Sequence, residues 1–220
     1  MSLTDSPKQA STGPRSRKGA QTRARLLDAA KAVFEDAGFI EARISDIAER
    51  AGLSHGSFYH YFDSKEQIFR ELAELQETQL TAPSADMHDS GPPLTEFERL
   101  RRANLRYLER YRANGKIMGV IEEVSRYDRQ VNDARMRRQK HFADRAERDI
   151  RRLQGERRAS PDIDPAIAAL ALGSMVARVA ELWLIEEWDD FDVQVIAEQL
   201  TRLWANAIGL RQQKSPRSAG

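Results

Sequence analysis

A glycine at position 52 separates two short helical patterns, and this break constrains the fold more than any other feature of the chain. Before it, apolar residues recur at helical spacing over residues 44–51. After it, Ser54 is a favourable N-cap for a second helix whose inner face holds Phe58 and Phe62. Glycine readily adopts the left-handed conformation that ends a helix before a tight turn. A helix, a short turn with glycine and a second helix are typical of the helix-turn-helix motif.

The start of the second helix is the predicted DNA-reading surface. In helix-turn-helix motifs this helix enters the major groove, and its first residues contact base edges. We therefore predict base contacts from His55, Gly56 and Ser57, because small groups there let the backbone approach DNA closely. Neighbouring side chains are predicted to bind phosphates: Tyr59, His60 and Lys65. The alternative is that the two histidines are ordinary polar residues at the surface or pack against a neighbouring helix.

A longer pattern around this motif carries a family resemblance. The matching residues, in order and spacing, are Ile47, Ala48, Ala51, Gly52, Ser54, Gly56, Tyr59, Phe62, Ser64, Lys65, Glu66 and Ile68. They resemble the N-terminal motif IAxxAGxSxGxxYxxFxSKExL of the TetR family of bacterial transcriptional regulators. The resemblance spans residues 22–75 and implies a three-helix DNA-binding domain followed by a helical ligand-binding and dimerisation domain.

Four further residues complete the predicted DNA-binding set. The resemblance implies that Thr22 and Ser45, at predicted helix starts, contact the DNA backbone, and Ser54 is included as part of the reading helix. Arg43 stands where the family usually has a threonine or serine cap. We expect the Arg43 side chain to reach a phosphate or a base instead.

The remaining periodicity predicts an all-α fold. Strand alternation and internal repeats are absent, and helices are expected over residues 22–37, 94–112, 115–125, 128–155, 163–187 and 192–209, with a further helix starting at the capping box of residues 64–67. The predicted organisation is a disordered basic arm at 1–21, a helix-turn-helix domain at 22–66, a ligand-binding and dimerisation domain at 67–210 and a disordered tail at 211–220.

The N-terminal segment is strongly basic, although the whole chain has a net charge of only +1. Six basic residues stand against Asp5 in residues 1–25, which gives a local charge of +5. Such an arm is attracted to phosphates over long range. A solvated tail without a specific role is the alternative.

The last two predicted helices are apolar on more than one face. A single core leaves part of this surface uncovered, so a homodimer with a four-helix bundle is expected, and the resemblance implies the same dimer. A central position in a monomer's core is the alternative. Two subunits related by a two-fold axis would read a pseudo-palindromic operator.

Apolar and aromatic side chains in the C-terminal half are predicted to line an effector cavity between helices. The predicted ligand-binding residues are Leu100, Tyr107, Tyr111, Met118, Ile121, His141, Phe142, Met175, Val179 and Trp183. Ordinary core packing, or solvation for His141, is the alternative. The expected effector is hydrophobic or amphipathic, and the expected logic is repression that the ligand releases, although activators exist in the family.

Other function classes find little support in the sequence. The 220-residue chain has no cysteine, its four histidines form no HExxH pair, and no glycine-rich phosphate loop or nucleophile elbow occurs. We therefore expect no catalytic activity, no metal and no cofactor. Without an uninterrupted apolar run of about 18 residues, a cytoplasmic location is expected. The alternatives are a DNA-binding protein without an effector and, less favoured, an all-α enzyme with dispersed residues.

Overall fold

The structure, a computed structural model, describes residues 17–82 and 94–211, and all regular structure in these two ranges is helical. The helices are α1 Arg17–Glu41, α2 Ile44–Arg50, α3 His55–Phe58, α4 Lys65–Thr81, α5 Glu96–Ala113, α6 Gly115–Ser125, α7 Arg129–Gly155, α8 Pro165–Leu184 and α9 Val193–Ala207. The predicted all-α fold class is confirmed. The chain divides into two compact units, Met1–Leu72 and Ala73–Gly220.

The first unit is organised around an aromatic core. The Phe34 ring meets the Phe69 ring edge-on with centroids 5.0 Å apart, and Phe39 lies 4.8 Å from the same ring. Phe58 and Phe62 are also fully buried, as their spacing predicted. Because Phe69 of α4 belongs to this core, the unit extends beyond the boundary that was predicted after residue 66.

Helix α1 begins earlier than the sequence pattern indicated. Residues 17–21, assigned to the basic arm, are helical, and Thr22 lies inside α1. The hydroxyl of Thr22 donates a hydrogen bond to the Lys18 carbonyl oxygen at 3.1 Å, so Thr22 does not mark a helix start. The prediction failed because the apolar stripe begins only at Leu26, whereas the preceding turns of helix are polar. Gly38 breaks the helical conformation with φ 73°, as expected from its position.

Two predicted disordered segments fall largely outside the described residues. These are positions 1–16 of the basic arm and 212–220 of the tail. The connection at 83–93, predicted as a loop, lies outside them as well.

The second unit is built on long packed helices, with α7 against α8, α5 against α9 and α6 against α7. Side-chain caps set several of the helix starts. Thr95 and Glu98 form a reciprocal capping box at the start of α5, and the carboxylates of Asp128, Asp164 and Asp192 cap α7, α8 and α9. These caps explain why the observed starts lie close to the predicted ones.

A buried polar contact joins two of these helices. The side-chain amide of Asn104 on α5 donates to the Thr201 hydroxyl of α9 at 3.0 Å, and that hydroxyl donates to the Ala197 carbonyl oxygen at 2.7 Å. Both side chains are buried, and both find partners, as buried polar groups usually do.

Candidate functional site

The turn between α2 and α3 has the geometry that the sequence predicted. Gly52 adopts φ 66°, the left-handed region that favours glycine. The backbone amide of Leu53 then donates to the Ala48 carbonyl oxygen at 2.9 Å, and that of Gly52 to Glu49 at 2.9 Å. These bonds close α2, and the chain enters α3 after the four residues 51–54.

The first turn of α3 is held by its own hydroxyl groups. Ser54 is the N-cap, and its Oγ accepts a hydrogen bond from the Ser57 amide at 3.2 Å. The two serine hydroxyl oxygens also lie 2.7 Å apart, so each already has a partner. Ser54 and Ser57 therefore shape the reading surface, and Ser57 is half-buried.

An exposed polar face surrounds this turn. His55, Gly56, Tyr59 and His60 are exposed, and the His55 and Tyr59 rings meet edge-on with centroids 5.4 Å apart. A β-carbon at Gly56 would meet no heavy atom within 4 Å, so the glycine is not required by packing inside the protein. The open backbone at Gly56 leaves room for a partner surface to approach.

The N-terminal end of α2 carries the next two predicted residues. Arg43 occupies the N-cap position in an extended conformation and provides no side-chain cap. Its side chain is exposed. The Ser45 hydroxyl donates to the Asp46 carboxylate at 3.0 Å, which leaves the serine oxygen as an acceptor at the surface.

Lys65 makes contacts within the protein that the sequence analysis did not predict. Its ammonium group donates hydrogen bonds to three carbonyl oxygens at the end of α1: those of Phe39 at 2.7 Å, Ile40 at 2.9 Å and Ala42 at 2.9 Å. It also lies 4.8 Å from the centre of the Phe39 ring. The ammonium group thus has three protein acceptors in the free chain, and the predicted phosphate contact stays a prediction. Lys65 neutralises the carbonyl end of α1 and ties it to the start of α4.

The second unit contains a cavity of about 280 Å³. Its lining residues are Gln76, Gln79, Leu80, Ala82, Arg110, Asn114 and Met118. Among the predicted ligand-binding residues, Met118 alone belongs to this lining. Tyr107, Tyr111, Ile121 and Trp183 are buried core residues, and Leu100, Phe142, Met175 and Val179 are half-buried. His141 is exposed, so the structure does not place it in an enclosed site.

The buried face of α4 also carries one half of an ion pair that the sequence analysis did not predict. Glu77 Oε2 and Arg138 Nε are 2.9 Å apart, and the two side chains are only 3% and 4% exposed. The signal was present in the sequence, because Glu77 falls at helical spacing between the buried residues Ala73 and Leu80. The pattern alone does not reveal which residue faces it.

The sequence comparisons cover only part of the chain. Residues 26–72 match the family described as bacterial regulatory proteins, tetR family. The uncharacterised HTH-type transcriptional regulator YdgC of Bacillus subtilis is 51% identical over 55 residues, which is 25% of this chain and 28% of that protein. The HTH-type transcriptional repressor KstR2 of Mycobacterium tuberculosis is 36% identical over 92 residues, 41% of this chain and 46% of that protein. The chain thus matches less than half of the length of these relatives.

A solved structure resembles the chain over most of its length. The transcriptional regulator FadR of Bacillus subtilis, in complex with stearoyl-CoA, matches with a TM-score of 0.67 and covers 84% of this chain and 98% of its own. Its sequence identity is 16%, so the likeness concerns the fold.

Replacing Lys65 with methionine is expected to destabilise the first unit. The substitution keeps most of the stem but leaves three carbonyl oxygens without their charged donor, and such bonds contribute about 1–3 kcal/mol. Lys31→Met is the control, since it removes only the partly exposed Lys31–Glu35 pair. Urea unfolding followed by circular dichroism measures both. Equal stability of the two variants would contradict the role assigned to Lys65.

Proposed function

The chain belongs to the TetR family of bacterial helix-turn-helix regulators, and from this premise we propose that it is a ligand-responsive, DNA-binding transcriptional repressor. The observation that carries the proposal is the exposed face of α3, where an open glycine backbone lies between polar side chains above a buried aromatic anchor, Phe58. The family is one of regulators rather than enzymes. The protein would work in the cytoplasm, on the DNA that it controls.

The proposed reading mode combines close backbone approach with side-chain contacts. His55 offers an imidazole that is able to donate and accept hydrogen bonds at base edges, while Gly56 lets the backbone enter the groove. Tyr59 and His60 would contact phosphates on either side. Arg43 adds a positive charge at the start of α2. The direction of regulation follows that of the mycobacterial relative, which is named a repressor.

We further propose that the protein acts as a homodimer through α8 and α9. Apolar side chains on these helices face solvent in the single chain: Ile167 is 69%, Leu170 64%, Val195 56% and Leu203 55% exposed. Burying such a face against a second copy is favourable, because each large apolar side chain contributes about 1.5–3 kcal/mol when fully buried. By length and composition alone, α8 is also apolar enough to cross a membrane. A dimer interface accounts for the same apolarity and supplies the two reading heads that a pseudo-palindrome requires.

The effector is proposed to bind in the second unit. The 280 Å³ cavity there supports this, as does the helical structure of FadR, which is in complex with stearoyl-CoA. We propose a hydrophobic or amphipathic small molecule. The second half of α4 lines the cavity, and its first half belongs to the first unit, which carries the proposed reading surface and is called the reading unit below. A ligand that shifts α4 would therefore alter DNA binding. Release of DNA requires that the ligand prefer the conformation that does not bind DNA.

Gly56→Ala is the sharpest test of the proposed reading surface. The new methyl group meets nothing in the free protein, so the free energy of unfolding should stay equal or rise by up to about 1 kcal/mol. Affinity for duplexes that the wild-type protein selects from a random library should fall at least tenfold, measured by fluorescence anisotropy. Gly155→Ala, at an equally open position on α7, is the control and should bind normally. Unchanged binding by Gly56→Ala would argue against close approach of this turn.

Arg43→Ala tests whether the start of α2 contacts DNA phosphates. Each lost phosphate contact lowers the slope of log affinity against log salt by about 1, so a dimer should lose about 2. Arg50→Ala is the matched control on the same helix, because Arg50 is paired with Asp36 at 2.8 Å. Titrations at several salt concentrations give both slopes. Equal salt-dependence slopes for the Arg43→Ala and Arg50→Ala variants would contradict a phosphate contact from Arg43.

Leu170→Glu combined with Leu203→Glu should convert the protein to a monomer. The added charges would face each other across the proposed interface, where burial without partners is costly. Sedimentation equilibrium should give about twice the 25.0 kDa chain mass for the wild type and the single mass for the variant. Met136→Glu, at an exposed apolar position on α7, should remain dimeric. A monomeric wild type would exclude the dimer.

A further inference from the structure

The inner stripe of α4 in the second unit contains a carboxylate where an apolar residue would be expected. Ala73, Gln76, Glu77 and Leu80 are all buried, and Glu77 is 2% exposed. A buried carboxylate is costly unless it is paired and fully hydrogen-bonded. Its surroundings therefore decide whether Glu77 is a structural residue or part of a binding site.

Glu77 forms an ion pair with Arg138, in which Oε2 of Glu77 and Nε of Arg138 lie 2.9 Å apart. The alignment of this pair is poor. Neither carboxylate oxygen of Glu77 has a hydrogen-bond partner within the described part of the protein, and neither does Nη1 of Arg138. A buried polar group left without a partner destabilises the folded state. Two acceptor oxygens of Glu77 and one donor nitrogen of Arg138 are thus buried close to each other without hydrogen-bond partners.

A second ion pair between the same two helices shows the contrast. Glu74 of α4 and Arg137 of α7 also form a salt bridge, but their side chains are 50% and 60% exposed. At this exposure, the remaining hydrogen-bonding atoms of the pair are open to solvent. A link between α4 and α7 therefore does not require burial, and the buried pair is not explained by helix packing alone.

Aromatic side chains form one wall of this buried pair. The Arg138 guanidinium carbon lies 6.0 Å from the centre of the Tyr107 ring, which in turn lies 5.8 Å from the Tyr111 ring. Burial raises the pKa of both tyrosines, so their hydroxyl groups are neutral at physiological pH. Burial also raises the pKa of the Glu77 carboxyl group, against the opposing effect of Arg138. Arg135, Glu122 and Glu74 also act electrostatically on Glu77, and Arg135 and Glu122 form a mostly buried pair of their own.

The cavity of the second unit reaches the same stripe of α4. Gln76 and Leu80, which lie on either side of Glu77 along that stripe, line the cavity, and Met118 supplies an apolar contact. Its volume of about 280 Å³ is at the lower end of the range for small-molecule pockets, about 300–1,000 Å³. Neither Glu77 nor Arg138 is itself in the lining, which also contains Gln79, Arg110 and Asn114, so a small molecule in the cavity would have to extend beyond these side chains to place its polar end at the ion pair.

We propose that Glu77 and Arg138 form the polar end of the effector site, which takes a small amphipathic molecule whose uncharged polar group both donates and accepts hydrogen bonds, as an alcohol or a primary amide does. The donor of such a group satisfies Glu77, and its acceptor satisfies Arg138. A carboxylate would place a second negative charge beside Glu77, and an ammonium group a second positive charge beside Arg138. The role as effector rests on the proposed function, whereas binding itself does not.

The same contact provides a route to regulation. A ligand group between Glu77 and Arg138 replaces a direct link between α4 and α7 by hydrogen bonds through the ligand. Only a ligand with different affinity for the two arrangements shifts their populations. Because α4 continues into the reading unit, its altered attachment to α7 is the step that would reach DNA binding.

The test uses four probes of equal chain length on the full-length protein: 1-octanol, octanamide, octanoate and octylammonium. Isothermal titration calorimetry without DNA should show octanol and octanamide binding at least tenfold more tightly than the two ions. In the variant Glu77→Met/Arg138→Met, this preference should disappear and octanol affinity should fall at least tenfold. The fold should survive, because replacing a buried ion pair by apolar residues is often neutral or stabilising.

The matched control is Glu74→Met/Arg137→Met, which removes the same charges from the same two helices at an exposed position. It should retain wild-type affinity for all four probes. Thermal unfolding by circular dichroism verifies that both variants are folded. If the buried variant does not fold, the ranking of the four probes on the wild-type protein remains decisive.

Three results would overturn the proposal: no binding of any probe, an ion binding as tightly as octanol, or unchanged octanol affinity in the folded Glu77→Met/Arg138→Met variant. Anisotropy with library-selected duplexes separates this result from the proposed function. A protein that binds octanol through the ion pair but binds no DNA retains the site and loses the repressor assignment. A protein that binds DNA specifically but none of the probes does the reverse.

Discussion

Helix α4 begins in the first unit and ends in the second, and charged side chains hold it in place on both sides of the division after Leu72. At its start, the Lys65 ammonium binds the carbonyl end of α1. Nearly two helical turns further, Glu71 accepts hydrogen bonds from the two terminal guanidinium nitrogens of Arg23, whose guanidinium carbon lies 4.5 Å from the Phe62 ring centre. In the second unit, Glu77 is buried against Arg138. Any rotation of α4 about its axis would therefore disturb contacts in both units.

Two buried polar pairs in the second unit differ in how completely they are hydrogen-bonded. Asn104 and Thr201 bond to each other, and the threonine also bonds to the backbone, so this contact is complete and links α5 to α9. Glu77 and Arg138 are equally buried, yet three of their polar atoms have no hydrogen-bond partner in the described structure. A satisfied buried contact rigidifies a core, whereas an unsatisfied one raises its free energy. This difference is the basis of the proposed ligand site.

Much of the reading surface was predictable because it depends on local rules. A left-handed glycine, a serine N-cap and two phenylalanines at helical spacing involve residues close together in the chain, and the structure places Gly52, Ser54, Phe58 and Phe62 as the pattern indicated. The role of Lys65 was missed because its partners lie 23 to 26 residues earlier. Periodicity reports which face of a helix is buried, and it does not report which distant atoms a flexible charged side chain will meet.

The sequence by itself determined the all-α class, the positions of most helices and the exposed polar start of α3, since these follow from spacing, capping and backbone preference. Only the tertiary structure decided which polar residues are engaged. It assigned Lys65 to the end of α1, left His141 at the surface and brought Glu77 to Arg138 across 61 positions of the chain. The physical reason is that helix formation is governed by neighbours within about four residues, whereas burial and ion pairing depend on which helices pack together.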